Sequence, residues 1–136
     1  MKQLFIAAVL CILGFAAKSQ TVTNYTNCPI VIRVYCYDPI TCTVSSLCGT
    51  VVVPGGITTV ALPVCACPPG QDVGYRVCWA SPAACTPICT SVGDAAGPWP
   101  CAQFQSTAVL PSCGTCANSP GGARIIYDAA GNMHIR

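Results

Sequence analysis

Between positions 30 and 37 the side chains alternate with a period of two. Ile30, Ile32, Val34 and Cys36 fall on one side of the chain, and Val31, Arg33, Tyr35 and Tyr37 on the other. Such a period belongs to a half-buried β-strand, because successive side chains of extended backbone point to opposite faces. The same pattern returns over residues 73–79, where Val73, Tyr75, Val77 and Trp79 share a side. Shorter runs rich in branched residues at 21–26, 50–53, 57–62, 102–110, 123–127 and 133–136 complete the predicted strands. Pro54-Gly55-Gly56 predicts a hairpin joining 50–53 to 57–62, with Pro at the first corner and Gly supplying positive φ. Asp128-Ala129-Ala130-Gly131-Asn132 predicts a second hairpin between the last two runs. Residues 38–49, 80–100 and 111–122 read as long connections carrying Cys and Pro, with a single helical turn at 83–89.

Composition rules out the helical alternative. From residue 20 onward there are 33 Val, Ile and Thr against three Leu, with no Lys and no Glu, so few strong helix formers remain. The fold class expected is all-β: a disulfide-rich antiparallel β-sandwich or jelly-roll-like domain of about seven to eight short strands with long crosslinked loops. No repeat or linker divides residues 20–136, which are read as one domain.

Residues 1–19 read as a secretory signal. Lys2 precedes an apolar run of about 14 residues, and small residues follow at Ala17 and Ser19. That run is too short to span a bilayer, and no later stretch is longer, so no membrane span is expected. The location expected is therefore extracellular, periplasmic or at the cell surface. Beyond the leader, four Arg (Arg33, Arg76, Arg124, Arg136) balance four Asp (Asp38, Asp72, Asp94, Asp128). The formal +2 of the whole chain thus belongs to Lys2 and Lys18. A segment 20–136 without net charge has no basic surface for nucleic acid or anionic lipid, and little electrostatic protection against self-association.

Cysteine usage supports export. Setting aside Cys11 in the leader, twelve remain: Cys28, Cys36, Cys42, Cys48, Cys65, Cys67, Cys78, Cys85, Cys89, Cys101, Cys113 and Cys116. An even number at this density in a short exported chain predicts six disulfides. Cys65 and Cys67 are separated by one residue, so each is expected to bond a distant partner. Cys85 with Cys89, or Cys113 with Cys116, could each close locally, and the remaining connectivity stays open.

Two local stretches are similar to known families. Val22-Thr23-Asn24-Tyr25-Thr26-Asn27-Cys28-Pro29, with the later Val53-Pro54-Gly55-Gly56, resembles the opening strands of thaumatin-like secreted β proteins over about a quarter of the chain. The cysteine spacing beyond that point departs from the family pattern, and the chain is much shorter. Tyr127-Asp128-Ala129-Ala130-Gly131-Asn132 resembles one unit of a YD repeat, but as a single copy it is accounted for by a hairpin turn. Hydrophobins share the small size, cysteine content and low charge, yet carry adjacent Cys-Cys pairs that this chain lacks. No family is assigned on these grounds.

Catalytic chemistry finds little to work with. A glycosidase needs two carboxylates, but each of the four Asp residues lies beside a turn signal, where Asp bonds its own backbone. A Ser-His-Asp hydrolase would have to use His134, the sole histidine, which reads instead as a solvent-facing strand residue. No Gly-rich phosphate loop precedes a helix. Cys113-Gly114-Thr115-Cys116 matches a redox spacing, but the Pro- and Gly-rich stretch after it cannot continue the helix such a site needs. The C-x-C and C-x-x-C spacings could ligate zinc, but exported thiols oxidise first, so neither metal nor cofactor is expected.

What remains points to recognition. With Ile30, Ile32, Val34 and Cys36 inward, Arg33, Tyr35 and Tyr37 form a candidate binding face of aromatic rings beside a guanidinium, suited to carbohydrate or protein. In the other arrangement both rings lie under a loop or second layer. Asn24-Tyr25-Thr26 is a glycosylation sequon. The function expected is a secreted, non-catalytic binding or structural protein whose extracellular protein or carbohydrate partner is unknown. The alternative is a protease inhibitor presenting loop 80–100, which carries no Arg or Lys, and a secreted hydrolase ranks third.

Overall fold

The computed structural model describes residues 20–86, 88–93, 101, 105–116 and 120–136. The expected leader, residues 94–100 of the expected long loop, and the first part of the 102–110 strand lie outside them. Among the described residues nine strands form: β1 (Thr21–Asn24), β2 (Ile30–Tyr37), β3 (Val44–Val53), β4 (Thr58–Ala61), β5 (Asp72–Trp79), β6 (Cys89–Gly93), β7 (Thr107–Leu110), β8 (Ala123–Tyr127) and β9 (Met133–Ile135). They make two sheets, ordered β4-β1-β9-β8-β7 and β3-β2-β5-β6. No helix among the described residues is long and apolar enough to cross a membrane.

The inward sides of the two longest alternating strands build the core. Ile30, Ile32 and Val34 of β2 and Tyr75, Val77 and Trp79 of β5 pack with Val22, Ile125, Tyr127, Met133 and Ile135 of the other sheet in one cluster. Burial of such side chains contributes about 1.5–3 kcal/mol each. The large rings also satisfy their polar ends. Trp79 Nε1 donates to the Pro111 carbonyl at 2.9 Å. The Tyr75 hydroxyl donates to Gln20 Oε1 at 2.7 Å and lies 3.1 Å from the Tyr127 hydroxyl.

Several expectations need correction. The sheets are not purely antiparallel, because β1 runs parallel to β9 while pairing antiparallel with β4. Residues 89–93 form a sheet edge rather than loop: β6 has little apolar alternation of its own and exists through its pairing with β5. β3 likewise extends back to Val44 through exposed positions without apolar alternation, because β2 offers it a full-length edge. The helical turn is shorter than expected, a 3-10 turn at Ala83–Cys85.

Pro54-Gly55-Gly56 closes no hairpin. β3 pairs with β2 and β4 with β1, so this turn carries the chain from one sheet to the other. The β1–β2 loop captures it. Asn24, fully buried, donates through Nδ2 to the carbonyls of Cys28 (2.9 Å) and Pro54 (3.1 Å). Its Oδ1 accepts from the Thr26 N–H at 3.0 Å and the Thr26 hydroxyl at 2.7 Å. Gly56 N–H donates to the Thr26 carbonyl at 2.8 Å. A Cβ on Gly55 would lie 2.5 Å from the Asn27 carbonyl oxygen, so only glycine allows this approach. The final hairpin, β8 to β9, forms as expected.

All twelve cysteines among the described residues pair: Cys28–Cys116, Cys36–Cys67, Cys42–Cys101, Cys48–Cys65, Cys78–Cys89 and Cys85–Cys113. Cys65 and Cys67 each take a distant partner. Neither local closure occurs, because Cys85 and Cys113 bond each other while Cys89 and Cys116 serve elsewhere. Six bridges of this kind suit an oxidising environment.

Candidate functional site on the outer face of the four-stranded sheet

Once Ile30, Ile32 and Val34 are committed to the core, the period of two turns Val31, Arg33 and Tyr35 outward. Register then decides their neighbours. Arg33 lies directly opposite Thr50 of β3 on one side and Arg76 of β5 on the other. Arg76 is in turn opposite Ser91 of β6. A line Thr50–Arg33–Arg76–Ser91 therefore crosses all four strands on one face. Leu47 and Tyr35 pair in the row toward one end, and Val52 and Val31 in the row toward the other. Leu47 and Val52 are more than half exposed, at 56% and 57%.

Two of the chain's four arginines are thus cross-strand neighbours, both exposed. Like charges directly opposite each other destabilise a sheet by roughly 0.2–1 kcal/mol, and nothing in the core demands the pair. Among the described residues no carboxylate pairs with either guanidinium; the ion pair present, Asp128 with His134, belongs to the other sheet. The face therefore carries two adjacent forks of N–H donors flanked by two hydroxyls and an aromatic ring. That donor set matches oxyanions, since a guanidinium binds carboxylate or sulfate through two parallel N–H bonds.

Of the three expected binding residues, Arg33 is exposed and Tyr35 half-buried at this face. Tyr37 is not available. Its ring is fully buried beneath the Cys42–Cys101 bridge, which packs over it from the β2–β3 loop. Alternation turned Tyr37 toward the outer side, but a crosslink to a distant segment covered that end of the strand. Arg76 takes its place. Its place on the side of β5 opposite Val73, Tyr75, Val77 and Trp79 was legible in the alternation. That it meets Arg33 needed the register.

The other candidates resolve differently. His134 Nε2 lies 3.2 Å from Asp128 Oδ2, both groups about a third exposed, and the Tyr25 ring stacks on the imidazole at 6.4 Å. Asp128 Oδ1 accepts the N–H groups of Ala130 and Asn132, each at 2.9 Å. The Asn132 N–H, first among these causes, holds the carboxyl below its ordinary range. Thr23, opposite His134 across the sheet, shares its hydroxyl with Thr59 at 2.9 Å. Among the described residues no hydroxyl bonds the imidazole, and the pair braces the hairpin turn. Asp38 accepts from Ile40 and Thr41 N–H groups in the same manner, whereas Asp72 starts β5 rather than a turn. Cys113 and Cys116 belong to separate bridges and form no redox pair. In the expected inhibitory loop, residues 89–93 are a sheet strand, and residues 94–100 lie outside the described residues.

Asn24 of the sequon is fully buried with Nδ2 engaged, so the folded protein offers no acceptor for a glycan there. Four sulfurs, those of Cys36, Cys48, Cys65 and Cys67, have the proximity of a metal-ligand set. No family model, curated protein or solved structure matches the chain.

Proposed function

We propose that this protein is a secreted, non-catalytic binding module that holds carboxylate or sulfate groups of an extracellular polysaccharide on the Thr50–Arg33–Arg76–Ser91 line. The observation carrying this reading is the direct juxtaposition of Arg33 and Arg76 on the solvent face without a neutralising carboxylate among the described residues. An oxyanion bridging both guanidiniums relieves their repulsion, and charge-assisted hydrogen bonds of this type contribute about 1.5–3 kcal/mol each. Thr50 and Ser91 extend the polar line, and Tyr35 supplies a flat surface for a sugar ring. Secretion fits the six bridges and the signal-like residues 1–19.

Calorimetric titration with a polyuronate, a sulfated polysaccharide and a neutral glucan tests the reading. Binding to the acidic polymers is expected, weakening as salt is raised. Arg33→Ala or Arg76→Ala should weaken it about tenfold or more, with a melting temperature unchanged or slightly raised because the like-charge contact is gone. Equal binding of the neutral glucan, or acidic-polymer binding that survives in the double variant, overturns the proposal.

A further inference from the structure

Cys36 is the last inward residue of the β2 alternation. Opposite it, β3 carries a bulge: Val34 pairs with Gly49 and Tyr35 with Leu47, so Cys48 is the extra residue between them. The segment Cys65-Ala66-Cys67 exposes Ala66 and half-buries the cysteines on either side. These three local features bring four Sγ atoms within 4.8 Å of one another. They belong to two bridges, Cys36–Cys67 and Cys48–Cys65. Between the bridges, Cys36 Sγ lies 3.2 Å from Cys65 Sγ and 3.5 Å from Cys48 Sγ, and Cys65 Sγ lies 3.5 Å from Cys67 Sγ.

A tetrahedral tetrathiolate centre with metal–sulfur bonds of about 2.3 Å places its sulfurs about 3.8 Å apart. The geometry points to a latent metal site: with both bridges reduced, Cys36, Cys48, Cys65 and Cys67 hold one soft, tetrahedral ion of the Zn²⁺ class. The expectation that oxidation pre-empts zinc concerns the bridged state; this site belongs to the reduced one and does not depend on the polysaccharide reading. Among the described residues no other group of three or more Cys, His or Asp side chains has ligand atoms gathered in this way. Two ligands come from paired strands of one sheet, so the site is anchored on rigid backbone. Cys36, 1% exposed, closes it toward the interior, while half-buried Cys65 and Cys67 leave a way in.

The chemistry balances with a phosphine or dithiol as reductant. Four electrons and four protons cleave two S–S bonds to four thiols. The ion then forms four metal–sulfur bonds and releases four protons. Because the ion binds only the reduced form, it draws these two bridges, and not the other four, toward reduction.

The test treats the folded full chain with limiting phosphine, with and without Zn²⁺. Native mass spectrometry then counts bound ions, and alkylation after removal of the ion by a chelator maps the free thiols. One ion per chain is expected, with Zn²⁺ raising the yield of free thiol several-fold at Cys36, Cys48, Cys65 and Cys67 while the other eight cysteines stay bridged. Cys65→Ser should abolish stoichiometric binding, and a Cys42→Ser/Cys101→Ser double variant should retain it. If Cys65→Ser does not fold, the thiol map of the unaltered chain decides alone. Absence of a retained ion, or retention only after all six bridges open with thiols protected indiscriminately, overturns the proposal.

Discussion

Asn24 carries more of the local structure than any neighbouring side chain. Fully buried, it closes the β1–β2 loop through Thr26 and Cys28 and ties that loop to Pro54. Asn24→Ala strands several buried donors and acceptors together and should cost about 2–4 kcal/mol, read from denaturant unfolding. Made in a glycosylating host, folded protein should carry no glycan at Asn24, because the modified Nδ2 could no longer donate both bonds; intact mass checks this. Asp38 and Asp128 should contribute to the acid limb of stability. Backbone N–H groups, of Ile40 for the first and Asn132 for the second, lower each carboxyl below its unfolded value. A depressed folded value means the stabilisation is present above the unfolded pKa and is lost as pH falls through the folded one. Melting temperature should therefore drop below about pH 4, and Asp38→Asn with Asp128→Asn should flatten that drop.

At the scale of elements, strands with strong alternation formed where their own pattern put them, and strands without it formed where a neighbour offered an edge. β2 and β5 are of the first kind. β6 and the first half of β3 are of the second, and their lack of apolar alternation concealed them. The turn at 54–56 shows the limit of local chemistry. Pro-Gly-Gly specifies a reversal of the chain but not which strand lies on the other side of it. Its two glycines separate the contributions. Gly55→Ala collides with the Asn27 backbone and should cost about 2–4 kcal/mol in thermal unfolding. At Gly56 an added Cβ meets nothing within 4 Å, so the cost of its φ of +85° alone is about 1–2 kcal/mol.

For the whole molecule the chain changes sheets after β1, β3, β4 and β6. Such a topology relies on long-range contacts, and the crosslinks span correspondingly long loops. Cys28–Cys116 joins residues 88 apart and Cys42–Cys101 residues 59 apart. In the chain-entropy account these restrict the unfolded ensemble more than Cys78–Cys89, only 11 apart between paired strands. Full reduction of the oxidised chain should raise its intact mass by about 12 Da, two hydrogens for each of the six bridges. A smaller rise would show cysteines left as free thiols.

Sequence alone determined the all-β class, the division of β2 and β5 into two faces, the final hairpin and the even set of bridging cysteines, because these follow from side-chain period, turn chemistry and parity. Arg33 and Tyr35 were legible as sharing a face for the same reason, but a period of two does not say which face meets solvent. Tertiary structure decided the rest. Register, which depends on the partner strand rather than on a residue's own neighbours, set Arg76 against Arg33 and inserted Cys48 beside Cys36. A crosslink from Cys101 removed Tyr37 from the surface, and burial of Asn24 assigned the 54–56 turn to a crossing between sheets. Each of these outcomes depends on contacts between residues distant in the chain, which no local pattern encodes.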